Sequence, residues 1–185
     1  MLKESLIKYR ALFPSEEETA KIAERLASEK NPTSRSRMDF HITSSAFVFS
    51  PNLEKTLLIR HRALNRWLQP GGHVEDGETP WEGAQREVEE EAGLKNAKLH
   101  RWHEINSFCP VDIDIHSIPE RPDKGEDKHQ HIDLRYMMMA DGNNDLTLQV
   151  DEVFAAEWCE MSRLNSVTTP LVTKRIARIM AVQRG

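Results

Sequence analysis

Cysteine is scarce. Cys109 and Cys159 are the only two, 50 residues apart, and neither stands in a CxxC pair. A disulfide scaffold and a paired-cysteine zinc module are therefore not expected. Long hydrophobic runs are also missing. The longest, Ala46–Phe49 and Tyr136–Ala140, fall far short of the ~18 apolar residues that cross a bilayer. Lys3, Glu4 and Lys8 interrupt the first ten residues, where a secretory leader needs an unbroken apolar stretch. The expected location is cytoplasmic, with no membrane partner. Basic excess is lacking too: 25 Lys and Arg face 30 Asp and Glu, a net charge of −5. A nucleic-acid binder needs the opposite balance, so no DNA binding is expected. What the 185 residues and 38% apolar content do support is one lean domain with a small appendage.

The acidity is concentrated. The segment Gly72–Leu94 holds eight acids and one base, Arg86, which makes it −7 and leaves the remainder at +2. Such a density marks either a solvated helix or a site for hard cations.

Leu2, Leu6, Tyr9 and Leu12 recur at helical spacing up to Pro14. Ser15 with Glu18 reads as a capping box opening a second helix that carries Ile22, Leu26 and Ala27. Residues 31–37 read as a linker, so 1–37 is expected as a helical extension and 38–185 as the main domain. The extension is a candidate lid or homodimer element. Next come two β-rich runs at 41–50 and 56–61, joined at Pro51-Asn52. Strands are expected at about 97–106, 111–117, 129–139 and 153–159, with a polar loop over 118–128. A helix over Thr79–Ala92 has a capping box (Thr79, Glu82), Pro80 at its first position and Gly93 as its stop. A last helix, about 168–183, places Leu171, Ile176, Ile179 and Met180 on one side. Strands flanking a helix, with another helix at the end, give a mixed α/β (α+β) sandwich.

Glu87, Glu90 and Glu91 share one face of the central helix at i, i+3 and i+4. Their mutual repulsion calls for a counter-charge, and oxygen ligands suit Mg²⁺ or Mn²⁺. Trp81, Ala84, Val88 and Ala92 form a separate stripe for packing on the sheet. Arg86 stands four residues from both Glu82 and Glu90 and is placed to orient both. The Gly71-Gly72 turn can bring a carbonyl to the metal.

This segment resembles the Nudix box: G, five residues, E, seven residues, then R-E-apolar-x-E-E-x-G-apolar. Gly72, Glu78, Arg86, Glu87, Val88, Glu90, Glu91, Gly93 and Leu94 match every specified position. The run Trp67 to His73 resembles the approach to the box. The resemblance implies a Nudix fold, a mixed sheet between helices, over about residues 40–183. It implies hydrolysis of a nucleoside diphosphate linked to another group. It makes Glu87, Glu90 and Glu91 the metal-bearing residues, with the Gly71 carbonyl as a further ligand, while Gly72, Glu78 and Arg86 brace the loop and helix. The metals would neutralise the diphosphate for attack by water. Glu87 and Glu152 both remain candidates for the base, Glu152 because it lies five residues before Glu157-Trp158.

Two alternating stretches are candidate substrate readers. Asp112, Asp114 and His116 share one strand face; His129, His131, Asp133 and Arg135 share another. Arg135 is the first candidate for a phosphate or ribose contact, with His131 and Asp133 beside it and Trp67 as a base-stacking aromatic. A solvated sheet face, a hydrogen-bond network and a His-x-His zinc site are the alternatives. Pro110, 16 residues after Leu94, resembles a mark of ADP-ribose pyrophosphatases and tilts the substrate towards nucleotide sugars or ADP-ribose. Normal or oxidised nucleoside triphosphates are the alternative. A ligand-sensing relative and a diphosphate isomerase of the same fold are rival classes, and the intact box argues against both.

Overall fold

The computed structural model describes residues 1–37, 39–120, 125, 127–141, 146–148 and 151–182. Residues 121–124 and 126 of the expected 118–128 loop lie outside them. In chain order the elements are α1 (Leu2–Leu12), α2 (Glu17–Leu26), β1 (Phe40–Phe49), β2 (Lys55–His61), β3 (Arg66–Leu68), β4 (Gly71–His73), α3 (Pro80–Ala92), β5 (Lys98–Leu99), α4 (Arg101–Ile105), β6 (Asp112–Ile118), β7 (His129–Met139), β8 (Val153–Glu160) and α5 (Pro170–Val182). No helix among the described residues is long and apolar enough to cross a membrane.

The parallel pairing of β1 with β7 is the spine of a mixed sheet, in register from Phe40 opposite Gln130 to Phe49 opposite Met139. The other edge of β1 is shared. Phe49 meets Thr56 of β2 at one end, and Thr43–Ser45 meet His73–Gly71 of β4 at the other. β2 continues the sheet to β3 and β8, and β7 pairs with β6 and β5.

Alternation along the two central strands sorts their side chains onto two faces. Ile42, Ala46, Val48, Ile132, Leu134, Tyr136 and Met138 enter one core with Ala84, Val88 and Ala92 of α3. Phe47, Phe49 and Met137 enter a second core against Val172, Ile176 and Met180 of α5. The sheet therefore lies between helices, as the sequence suggested.

Several local expectations need correction. Residues 97–106 are not one strand: β5 stops at Leu99 and α4 follows. The cause is His103, fully buried, whose Nδ1 meets the Cys109 carbonyl at 2.6 Å while its Nε2 accepts the Met137 N–H at 2.8 Å. Burial pulls its pKa down to about 3, so a neutral ring bridges the turn to β7. No Ser15–Glu18 box opens α2; a 3₁₀ turn, Pro14–Glu16, precedes it. Glu16 instead takes an ion pair from Arg175 and a hydrogen bond from the Tyr9 hydroxyl. On α5, Leu171 faces solvent and Arg175 is buried. Trp81 is only half-buried, stacked on Phe108 with 5.4 Å between centroids.

The N-terminal helices do not hang from the domain. Leu6, Tyr9, Ala20, Ala23 and Leu26 bury their side chains in the same core as Ile42 and Val88. Arg175 fastens them to α5. Its guanidinium lies 3.7 Å from the Phe13 ring centroid, and Nη1 donates to the Val111 carbonyl at 2.6 Å. Removing one partner of a buried ion pair strands the other, so Arg175→Ala is expected to lower unfolding free energy by about 3 kcal/mol in a urea titration. A loss below about 1 kcal/mol would show that Glu16 and the Val111 carbonyl find water instead.

Candidate active site

The site grows from α3 and the loop before it. The helix starts at a capping box, with the Thr79 N–H donating to Glu82 at 2.8 Å, and ends at Gly93 with φ +73°. Glu82 is thus held by its own helix start and is not a partner of Arg86, contrary to expectation. Arg86 gathers other groups. Nε donates to Glu78 at 2.9 Å; Nη1 donates to Glu87 at 3.0 Å and Glu90 at 2.9 Å; Nη2 donates to the His73 carbonyl at 2.7 Å. One side chain ties the helix face to both ends of the loop. The His73 carbonyl was not legible in the sequence, since a main-chain acceptor has no residue type to announce it.

Glycines set how closely loop and helix approach. A Cβ on Gly71 would lie 2.3 Å from the Ser45 Cβ, and one on Gly72 would lie 2.5 Å from a Glu87 carboxylate oxygen. The Gly71 N–H donates to Glu91 at 2.9 Å, which keeps residue 71 against the carboxylates.

The electrostatics are out of balance. Glu87 and Glu91 are buried, and Glu90 is partly exposed beside them. Burial raises Glu87, with Arg86 opposing it and Glu90 and Glu152 adding to it. Burial, reinforced by Glu87, Glu152 and Glu90, pushes Glu91 up to about 8 against the Gly71 N–H. Glu152, exposed at the turn before β8, thus interacts electrostatically with the helix carboxylates although it lies 61 residues from Glu91 in sequence. Glu78 differs: burial pulls it up, but Arg86 and the Glu75 N–H hold it below the ordinary range. Glu78, Glu87, Glu90, Glu91 and Glu152 thus converge around one guanidinium, and the most buried, Glu91, is the one pushed up to about 8. That donor set, all hard oxygen, fits a divalent cation such as Mg²⁺ or Mn²⁺.

The sheet residues form a second constellation. Antiparallel pairing sets Asp112 opposite Arg135, Asp114 opposite Asp133 and His116 opposite His131. All three guanidinium nitrogens of Arg135 are taken: Asp112 at 3.1 Å, Asp114 at 2.8 Å, Asp133 at 3.1 Å. Asp133 also accepts from Ser45 at 2.7 Å. Arg135, the expected phosphate or ribose contact, thus has three carboxylates around it in this structure. Trp67 lies half-exposed on β3 opposite Arg60, outside both cores. Pro110 is buried in the turn leading into β6.

The carboxylate loop and helix thus sit on a mixed sheet between helices. The NUDIX domain profile matches residues 39–181, and the chain belongs to that family. A probable DHNTP pyrophosphohydrolase of Lactococcus lactis is 37% identical over 100 residues, 54% of this chain and 54% of that protein. An 8-oxo-dGTP diphosphatase of Proteus vulgaris is 30% identical over 81 residues, 44% of this chain and 56% of that protein. The chain thus spans just over half the length of these two relatives. A NUDIX-family hydrolase of Clostridium perfringens superposes with a TM-score of 0.54 at 23% identity, covering 75% of this chain and 97% of that one, which bears on the fold alone.

Two outcomes test the site. Gly72→Ala forces the Glu87 carboxylate aside and is expected to lower turnover at least about 10-fold, the scale of losing a partner that orients a metal ligand. Its melting temperature should fall by only a few degrees; unchanged turnover would mean that Glu87 has room to spare. Glu91 has a folded pKa near 8, above its ordinary 4.5. The metal-free fold therefore loses stability as pH rises from about 4.5 through about 8. Glu91→Gln keeps an acceptor for the Gly71 N–H and is expected to flatten that decline in melting temperature against pH. A parallel decline in both proteins would assign it to other groups.

Proposed function

We propose that the chain is a divalent-metal-dependent pyrophosphohydrolase cleaving a nucleoside diphosphate linked to another group. The observation that carries the reading is the convergence of Glu87, Glu90, Glu91 and Glu152 against a single arginine. Glu87, Glu90 and Glu91 hold the cation, with the Gly71 main chain beside them. A bound divalent cation supplies neutralisation of the diphosphate and acidification of water.

The chain's own groups do the rest. Arg86 keeps Glu87 and Glu90 pointed at the same space and fixes the loop through Glu78 and the His73 carbonyl. Glu87 is committed to Arg86 and, on this reading, to the cation, which leaves it no free oxygen for a water proton. We assign the base to Glu152, which is exposed beside the cluster. It takes the proton of a water that attacks phosphorus as the bridging P–O bond breaks.

The relatives' names favour a triphosphate substrate over a nucleotide sugar or ADP-ribose. The tilt to ADP-ribose rested on Pro110, and a buried turn before β6 accounts for that proline.

Product analysis with Mg²⁺ or Mn²⁺ on nucleoside triphosphates, 8-oxo-dGTP, ADP-ribose and nucleotide sugars tests the reading. Expected is a monophosphate with pyrophosphate from a triphosphate. Glu90→Gln should cut turnover by at least about 100-fold with little change in melting temperature, since losing even an outer partner of a metal ligand costs ~10–100-fold. A monophosphate with a sugar phosphate would restore the ADP-ribose class. Full activity in Glu90→Gln would remove Glu90 from the site.

A further inference from the structure

Five of the chain's eight histidines meet at one corner of the sheet. Parallel pairing puts His41 of β1 opposite His131 of β7, and His129 lies two residues earlier on the same face. One imidazole nitrogen from each of these three lies within 4.8 Å of the others. His73 joins from β4, its Nε2 3.0 Å from the His41 Nε2. His116 of β6 approaches His131, with 5.6 Å between ring centroids. The proposed hydrolysis uses none of these rings.

We propose that His41, His129 and His131 form a three-imidazole site for a borderline transition-metal cation, Zn²⁺ first among them, separate from the carboxylate cluster on α3.

Four observations carry this. The first is donor type: imidazole nitrogen suits Zn²⁺, Co²⁺, Ni²⁺ and Cu²⁺, whereas Mg²⁺ and Mn²⁺ take the oxygen donors of α3. The second is spacing. Tetrahedral Zn²⁺ with bonds of ~2.0–2.1 Å sets neighbouring nitrogens about 3.3 Å apart. His129 Nε2 and His131 Nε2 stand 3.2 Å apart, and a His41 nitrogen lies within 4.8 Å of both. The third is orientation. The Asp127 carbonyl, 2.7 Å from His129 Nδ1, can only accept, so the neutral ring carries its proton there and turns the Nε2 lone pair to the cluster. His73 guards the site in turn: Arg35 donates to its Nδ1 at 2.8 Å, which places its proton on Nε2 against the His41 Nε2, so a metal that takes His41 through that nitrogen displaces this hydrogen bond. His73 is therefore not a ligand. The fourth is surroundings. His41 and His129 are buried, and burial with the neighbouring rings pulls the His131 pKa well below its ordinary value, which keeps that ring neutral and able to bind a metal. The Asp114 carboxylate, 2.8 Å from His116, offers negative charge at the rim, opposing that of Arg35.

Three ligands leave a fourth position for water or an anionic ligand. The corner adjoins the box, because His73 follows Gly72 and its carbonyl anchors Arg86.

Titration of the full chain with Co²⁺, then Zn²⁺, in saturating Mg²⁺ tests the site without any activity readout. Expected are one equivalent of Co²⁺ with the visible absorption of a tetrahedral nitrogen site, its displacement by Zn²⁺, and a Zn²⁺-dependent rise in melting temperature. His129→Asn and His131→Asn should each weaken binding at least about 10-fold, while Glu90→Gln should leave it unchanged. If the histidine variants fail to fold, ¹⁵N spectra of the unsubstituted chain decide: Zn²⁺ must shift the His41, His129 and His131 ring resonances. A hydrogen-bonded imidazole network only, with no binding in saturating Mg²⁺, overturns the proposal. So does binding that Glu90→Gln abolishes, which would place the cation on α3.

Discussion

The guanidinium of Arg86 makes the acidic helix face compatible with folding. Glu87, Glu90 and Glu91 would repel one another on any exposed helix. Here Arg86 pairs with two of them, takes Glu78 from the loop and closes on the His73 carbonyl. Because those contacts converge from both sides of residues 74–77, the loop has one way to lie on the helix. That placement leaves no volume for a Cβ at Gly72 and sets the Gly71 N–H on Glu91. Site geometry and loop conformation are thus one constraint.

Arg135 solves a related problem with a different outcome. Asp112, Asp114 and Asp133 surround it, yet His116 pairs with Asp114, and Arg175 lies 4.0 Å from Asp112. Two guanidiniums from β7 and α5 enter that network and the His116 ring takes a further carboxylate contact, so it closes on itself. Among the described residues the α3 cluster sets Arg86 against five carboxylates, and burial pushes its most buried member, Glu91, up to about 8. On the proposed reading, the contrast separates a structural carboxylate network from a cation site better than a count of acids does.

Much of this was legible because it was local. The capping box, the Gly93 stop and the i, i+3, i+4 glutamates are determined within a few turns of helix, and the alternation of 129–135 placed its polar residues on one face. β3 and β4 are three residues each and show no period. A strand was expected where α4 forms because the sequence does not say that His103 must bridge Cys109 and Met137. Glu16 and Arg175 meet across 159 residues, and the sequence reading spent Ser15 and Glu18 on a cap instead. His41 escaped the list of readers because only parallel pairing of β1 with β7 brings it to His131. Each miss is a contact made by topology.

That parallel register also grades one face of the sheet. Along β1 and β7 it runs from His41 and His131, through Thr43, Ser45, Asp133 and Arg135, to Phe47, Phe49 and Met137. Imidazole, carboxylate and hydroxyl, then hydrocarbon succeed one another over about 27 Å of strand, at ~3.3 Å per residue. The box carries a strong excess of negative charge even with Glu91 protonated, enough to repel a polyphosphate that reaches it without a cation. On the proposed reading, cation and substrate therefore bind cooperatively, each lowering the electrostatic cost of the other. The α3 carboxylates then act on the phosphates common to every substrate of the class, and discrimination falls to groups that carry no excess negative charge. The graded face has such groups in its serine and threonine side chains, next to the box through the pairing of β1 with β4.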